Sequence, residues 1–301
     1  MSPTETTSVP SPRVRKISWL HIFFNLFLCV AIPLAGGFFI SRRMIPSPAV
    51  GVIRLNVEIY GFSAEFLNQQ INEARANPRI KAVVVQIDSP GGEVTATQTI
   101  FLELQKLRRE MPVVGSIDSI AASGAFYAAM ATDPVYAKPS STVGNVGVWG
   151  YFPSEIGVND VVLASGPFKL TASNTEEFLR GIESIKQEFL ATVISQRGAR
   201  LKISDVDLSQ GLAYSGRESL DLGLIDALGS QTEAIEKAAK LAGIANYHVI
   251  DLEAAVITEY YSEVNPLLSN FWIAKADPLT RQRDLPPGAY LLYDARLGST
   301  R

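Results

Sequence analysis

Two short segments hold the residue types from which an acyl-transfer site could be built. The first, Asp88-Ser-Pro-Gly-Gly92, stands where an apolar run ends. Its glycines permit backbone conformations closed to other residues and let N–H groups approach a ligand closely, where they could hold an oxyanion. The same five residues also make an ordinary turn. The second, Ser119-Ile-Ala-Ala-Ser-Gly-Ala-Phe-Tyr127, follows another apolar run and precedes Ala128-Ala-Met-Ala131. A serine there, between residues too small to block approach, can present its hydroxyl near helix N-terminal N–H groups. The alternative is a serine that merely caps the helix. The G-x-S-x-G pattern of a nucleophile elbow is absent.

The elements that must carry these segments follow from apolar spacing. Val50–Ile59 reads as a strand, Ser63 as the cap of a helix to about Asn77 that Pro78 ends, and Lys81–Asp88 as a β-branched run suited to a buried parallel strand. A helix from about Thr95 to Arg109 and a strand over Val113–Asp118 come next, so each candidate segment follows a buried strand. Phe178, Ile182, Ile185, Phe189 and Val193 recur at steps of four, three, four and four. They mark one apolar face of a helix over about Thr175–Arg197, packed on the sheet or on another subunit. Helical segments around Arg217–Leu222 and Gln231–Leu241 complete an α/β layered pattern, with no fixed-period repeat.

Composition narrows the classes. The 301 residues, 47% hydrophobic and 19% charged, exclude a disordered or collagen-like chain and suffice for one or two folded units. A net charge of −3 offers no basic face, so no nucleic-acid partner is expected. One cysteine rules out an internal disulfide, and two histidines disfavour His-centred sites; no metal and no organic cofactor is expected.

The apolar excess is local, because Ile17–Ile40 runs for 24 residues without a charge. At about 1.5 Å per residue a helix of that length crosses a hydrocarbon core of roughly 30 Å, so residues 17–40 are expected to form a transmembrane helix. A cleaved signal peptide is the alternative, with Arg13, Arg15 and Lys16 ahead and Ala35-Gly-Gly37 behind. The length of the run and the Arg42-Arg43 pair after it favour an anchor, with Cys29 facing lipid. Three basic residues before the run against two after it lean towards an inside N-terminus, a single pass and an extracytoplasmic body. Without residues 1–43 the body carries 22 basic and 29 acidic side chains. Residues 1–16, rich in Ser, Thr and Pro up to residue 12, read as a disordered tail.

In their order, Ile87-Asp-Ser-Pro-Gly-Gly-Glu-Val-Thr-Ala96 and Ala121-Ala-Ser-Gly-Ala-Phe-Tyr127 resemble the signal peptide peptidase A-like serine proteases, peptidase family S49, with their Clp protease/crotonase-like fold. The resemblance continues through Asp133-Pro-Val-Tyr-Ala137, Thr142-Val-Gly-Asn-Val-Gly-Val148 and Gly216–Gly229, covers roughly Val50–Gly243 and fades beyond Asp251. It implies a layered parallel sheet with flanking helices over residues 49–250, preceded by the transmembrane helix and followed by a C-terminal extension over 251–301. It also implies that Ser123 is the nucleophile; Ser119 and Ser89 are off the matching position. Clp proteases use a histidine base, whereas here His21 lies in the apolar run and His248 beyond the family-like core. A lysine serves instead if burial lowers its pKa from about 10.4. Among Lys138, Lys169, Lys186 and Lys202, Lys169 stands in Ala164-Ser-Gly-Pro-Phe-Lys-Leu170, which resembles the family segment that delivers the base; Lys138 is the runner-up.

The resemblance further implies an oxyanion hole from the N–H of Gly124 and one in the Gly91-Gly92 turn, Gly92 in preference. Asn145 stands where many members place a serine bonded to the lysine; its amide oxygen could orient the amine but not relay a proton. Thr171–Thr175 also lacks the proline commonly seen there. The implied activity is hydrolysis of peptides in or near the membrane, such as remnant signal peptides, by a homo-oligomeric ring. Three other readings are an NfeD-like membrane protease acting on hydrophobic segments of membrane proteins, crotonase-type acyl-CoA chemistry, and a catalytically silent membrane scaffold. Tyr260-Tyr261, Phe271-Trp272 and Pro286–Tyr293 are apolar enough to pack on a neighbour, the membrane or the body itself.

Overall fold

A computed structural model of the chain describes residues 19–44, 47–152, 165–263 and 289–292. It divides into two compact units, Met1–Pro46 and Ser47–Arg301. In the first, α1 spans Trp19–Met44, 26 residues with Pro33 inside. Phe23, Phe24, Phe27 and Leu34 on it are exposed, as is Cys29. Most of the expected span 17–40 falls on this helix, while Ile17, Ser18 and the expected tail over 1–16 lie outside the described residues. Among the described residues, no helix is long and apolar enough to cross a membrane.

The second unit opens with β1 (Ala49–Leu55), α2 (Gly61–Ala76), β2 (Ile80–Ser89), β3 (Gly91–Glu93), α3 (Val94–Glu110), β4 (Val113–Ala122) and α4 (Gly124–Ala129). It continues through β5 (Val135–Ala137), β6 (Thr142–Gly144), β7 (Trp149–Gly150), α5 (Thr175–Arg197), α6 (Asp205–Leu208), β8 (Ala213–Ser215) and α7 (Gly216–Asp221). The last described elements are β9 (Ala227–Leu228), α8 (Gln231–Leu241), β10 (His248–Asp251), α9 (Leu252–Glu263) and β11 (Ala289–Leu292).

The main sheet has the order β10-β1-β2-β4-β5-β9, all parallel, with β6 parallel to the far end of β4 and β8 antiparallel to β6. Helices α2 and α3 make the crossovers into β2 and β4, the connection that parallel neighbours require. Alternation along β2 explains its burial on both sides. Val83, Val85 and Ile87 pack in one core with Leu67, Ile71, Ile100, Leu104 and Phe126, while Ala82 and Val84 join Ala234, Ala238 and Ala239 of α8 in another. The observed α/β sheet with flanking helices fits the expected Clp protease-like layering.

Four local expectations change. The strand expected over Val50–Ile59 ends at Leu55. The strand expected over Val113–Asp118 continues to Ala122, where its end pairs with β6. Tyr60, not Ser63, is the N-cap of α2: its backbone is extended, and Ser63, already helical, uses its hydroxyl to accept the Tyr60 N–H at 2.7 Å. The apolar face of α5 is buried only in its C-terminal half, at Phe189, Leu190 and Val193. Phe178, Ile182 and Ile185 are half-buried and Leu179 is 58% exposed.

Candidate active site

Ser123 sits between β4 and α4 with φ 52° and ψ −123°, a conformation that L residues avoid at a cost of about 1–3 kcal/mol. The surroundings hold it there. The Ser123 N–H donates to the carbonyl of Gly144 at 2.9 Å, Ala122 pairs with Gly144, and Tyr127 donates its N–H back to the Ser123 carbonyl at 3.0 Å. Ser123 occupies the N-cap position, but its hydroxyl forms no cap hydrogen bond and bonds no described residue. The bland reading of this serine as a helix cap therefore fails. Gly124 opens α4, so its N–H has no intrahelical acceptor. A strained serine on a sharp strand-to-helix turn, followed by a free N–H, is the arrangement of a nucleophile elbow, here without the G-x-S-x-G sequence.

The Asp88–Gly92 turn lies beside it, at the carboxyl ends of the same two parallel strands, where open α/β sheets bind ligands. Ser89 pairs with Ala121 across a register shift, and Asp88 accepts the N–H of Ile120 at 3.2 Å and the Ser119 hydroxyl at 3.4 Å. The competing serines are thus occupied: Ser119 by Asp88, and buried Ser89 by accepting the Gly91 N–H at 3.2 Å. Gly91 has φ 98°, which favours glycine. At Gly92 the constraint is steric, because a Cβ would lie 2.0 Å from the Ile59 carbonyl oxygen. Ile59 bridges the turn, donating its N–H to the Gly91 carbonyl and accepting the Glu93 N–H, both at 2.8 Å. Gly91 therefore spends its N–H inside the turn, whereas that of Gly92 points away from Ile59.

The lysines divide clearly. The Lys138 ammonium is paired with Asp118, and Lys186 with Glu183 at 2.6 Å. Lys202 and Lys169 are exposed. Lys169 lies in a run of turns ahead of α5, where its N–H donates to Gly166 at 3.2 Å and Ala172 donates to Phe168 at 2.7 Å. Its ammonium bonds no described residue, Ser123 included, and the burial that the sequence argument asks of a lysine base is absent at this turn. Asn145, with φ 54°, donates its amide N–H to Gly211 at 2.7 Å and its backbone N–H to Leu212 at 2.8 Å, so its nitrogen groups hold the approach to β8. Its amide oxygen accepts from no described residue. His248 begins β10 at the sheet edge, with an exposed side chain; the side chain of His21 lies outside the described residues.

Helix α5, which follows Lys169, is pinned by its C-terminal half. Tyr127 of α4 donates its hydroxyl to Glu188 at 3.1 Å and meets Phe189 edge-on at 5.1 Å; burial pushes the Tyr127 hydroxyl pKa up. Arg197, 2% exposed, clasps Asp226 through two bonds of 2.9 Å, and Arg200 adds a third at 2.8 Å. Burial alone would raise the Asp226 carboxyl, but the Arg197 fork, the Val135 N–H at 2.7 Å and the two guanidinium charges hold it below its ordinary value. This clasp was missed from sequence, although Asp226 lies inside the quoted Gly216–Gly229 motif; nothing in one sequence pairs it with Arg197.

The chain matches the model for peptidase family S49 over residues 105–245 and that for Clp protease over residues 49–143. A provisionally named protease of Synechocystis sp. is 34% identical over 178 residues, 54% of this chain and 64% of the relative. Protease 4 of Salmonella typhi is 30% identical over 60% of this chain and 31% of its own length, and the chloroplastic serine protease SPPA of Arabidopsis thaliana 28% over 60% and 29%. The matched part thus spans less than two thirds of each of these relatives. The strained serine and the glycine turn at the ends of adjacent parallel strands both lie within these matched residues, so the part of the chain that carries them is similar to peptidase family S49 and to the signal peptide peptidase A-like serine proteases.

Proposed function

We propose that this protein is a membrane-anchored serine endopeptidase working through a Ser123–Lys169 dyad. The observation that carries the reading is Ser123: a serine held in a costly backbone conformation with its hydroxyl unbonded among the described residues, beside the one glycine N–H of the neighbouring turn that is not spent within it. Neutral Lys169 accepts the Ser123 proton as Oγ bonds to the scissile carbonyl carbon. The resulting oxyanion is held by the N–H groups of Gly92 and Gly124. Collapse breaks the C–N bond, the leaving amine takes the proton from Lys169, and water then deacylates the serine by the same route. Because Lys169 is exposed in the free chain, its role requires bound peptide or a neighbouring subunit to remove water from the amine. The Asn145 amide oxygen is available to orient it.

Substrates are peptides in or near the membrane, with remnant signal peptides the first choice. The charge-free run over 17–40 supports a single-pass anchor, and the three basic residues before it against two after it support a body outside the cytoplasm. A homo-oligomer is supported by the exposed Leu179, Phe168 and Leu170, an apolar stretch around Lys169 that the described residues leave open to solvent. The test is cleavage of a peptide library by the purified full chain. Ser123→Ala should lower hydrolysis by at least ~10³-fold at unchanged fold; undiminished cleavage would remove Ser123 from the mechanism.

A further inference from the structure

Residues 289–292 form β11, far in sequence from the strands they pair with. β11 is the middle strand of a second, three-stranded sheet with the order β3-β11-β7, antiparallel to both neighbours. Neither β3 nor β7 belongs to the main sheet, and they do not pair with each other. They are two short edges whose shared partner is a piece of the C-terminal extension. Leu292, Leu291 and Tyr290 stand opposite Gly91, Gly92 and Glu93, while Tyr290 and Ala289 stand opposite Trp149 and Gly150. β11 also runs against α3 and α4, and α4 begins one residue after Ser123.

The decisive detail is the direction of the Gly92 peptide groups. Ile59 takes the Gly91 carbonyl and the Glu93 N–H on one edge of β3, so alternation turns the N–H of Gly92 to the other edge, where β11 lies with Leu291 opposite. An uncharged extended segment thus sits where a substrate strand would reach the proposed oxyanion donor, bound through backbone pairing as in strand addition.

We propose that the groove between β3 and β7 is the peptide-binding cleft and that the chain's own segment 289–292 is its resident occupant, held in cis and competing with substrate for Gly92. This rests on the catalytic reading above for the role of Gly92. A strand carried on the same chain needs little intrinsic affinity, since its binding is intramolecular and its effective concentration is of order mM. If the cleft is free for about a tenth of the time, a peptide binds roughly tenfold more weakly than it would to an open cleft.

The test uses the full chain with Ser123→Ala, so that nothing is cleaved, with and without Leu291→Pro, which removes an N–H from β11 and cannot continue the pairing. Amide exchange is followed at Gly92 and at Glu93, whose N–H is held by Ile59. In parallel, a fluorescein-labelled peptide of the 286–294 sequence is titrated by anisotropy. In Leu291→Pro, Gly92 should exchange about 10-fold faster, with Glu93 unchanged, and the peptide should bind roughly tenfold tighter. Equal Gly92 exchange and equal peptide affinity in the two proteins would overturn the proposal. Protection of Gly92 that stays constant on dilution supports the cis assignment; protection lost on dilution would overturn it in favour of a second copy. Both readouts are binding events, so a protein that never hydrolyses peptide yet shows this competition defeats the catalytic reading alone. A protein that hydrolyses peptide without the competition defeats this proposal alone.

Discussion

The two halves of the proposed dyad sit in opposite surroundings. Ser123 is 2% exposed, at the junction of two central elements, with its backbone bonded to Gly144 and Tyr127. Lys169 is exposed on a turn that bonds mainly to itself, ahead of a helix whose near half is only partly covered. On the proposed mechanism, the parallel sheet therefore organises the nucleophile and oxyanion side before any substrate arrives. The base side is left to be completed by what binds there. Catalytic parts on rigid strand ends can store strain, whereas parts on a surface limb can change their exposure without disturbing the core.

The largest effect that sharpens this contrast is at the limb. Lys169→Ala should lower kcat for peptide hydrolysis by about 10²–10⁴-fold without changing the melting temperature, as expected for the loss of a general base on an exposed turn. Lys169→Arg should not rescue it, since a guanidinium stays protonated. A matching fall in melting temperature would show the turn to be structural instead.

The next effect lies where the limb is pinned. Asp226→Ala leaves the buried Arg197 guanidinium unpaired and should destabilise the body by about 3–5 kcal/mol in denaturant unfolding. The Asp226 carboxyl is held below its ordinary value, so its contribution is fully present above the unfolded carboxylate pKa of about 3.9 and disappears as pH falls through the lower folded value. The stability gap between parent and Asp226→Ala should accordingly narrow only in acid. A gap that is constant from neutral pH into that range would mean the clasp contributes packing rather than charge.

Most of the nucleophile side was legible from sequence and little of the base side was. The buried strands announce themselves by β-branched runs such as Ala82–Ile87, and Ser-Pro-Gly-Gly with Ala-Ala-Ser-Gly marks where they end. The helix over Thr175–Arg197 follows from its periodicity to the residue, but periodicity does not say how deeply each part of an apolar face is buried, and of that face only Phe189, Leu190 and Val193 are fully covered. The positive φ of Ser123 and the choice between Gly91 and Gly92 depend on bonds from Gly144, Ser89 and Ile59, which no local pattern encodes. Strand β11 was visible only as an apolar stretch after two prolines, because its pairing partners lie far away in sequence.

The smallest effect separates the two candidate bases. Lys138→Ala removes a half-exposed ion pair with Asp118, which should cost at most about 1 kcal/mol and leave peptide hydrolysis within twofold of the parent. A large loss of activity in Lys138→Ala, with Lys169→Ala unaffected, would exchange their roles.

The central claim, that Ser123 is a nucleophile activated by Lys169, is tested most directly by treating the full-length protein with a fluorophosphonate and locating the adduct by peptide mass spectrometry. The account predicts one modified residue, Ser123, with labelling at least ~10²-fold slower in Lys169→Ala. An adduct on Ser89 or Ser119, or labelling of Ser123 at the same rate without Lys169, would contradict it.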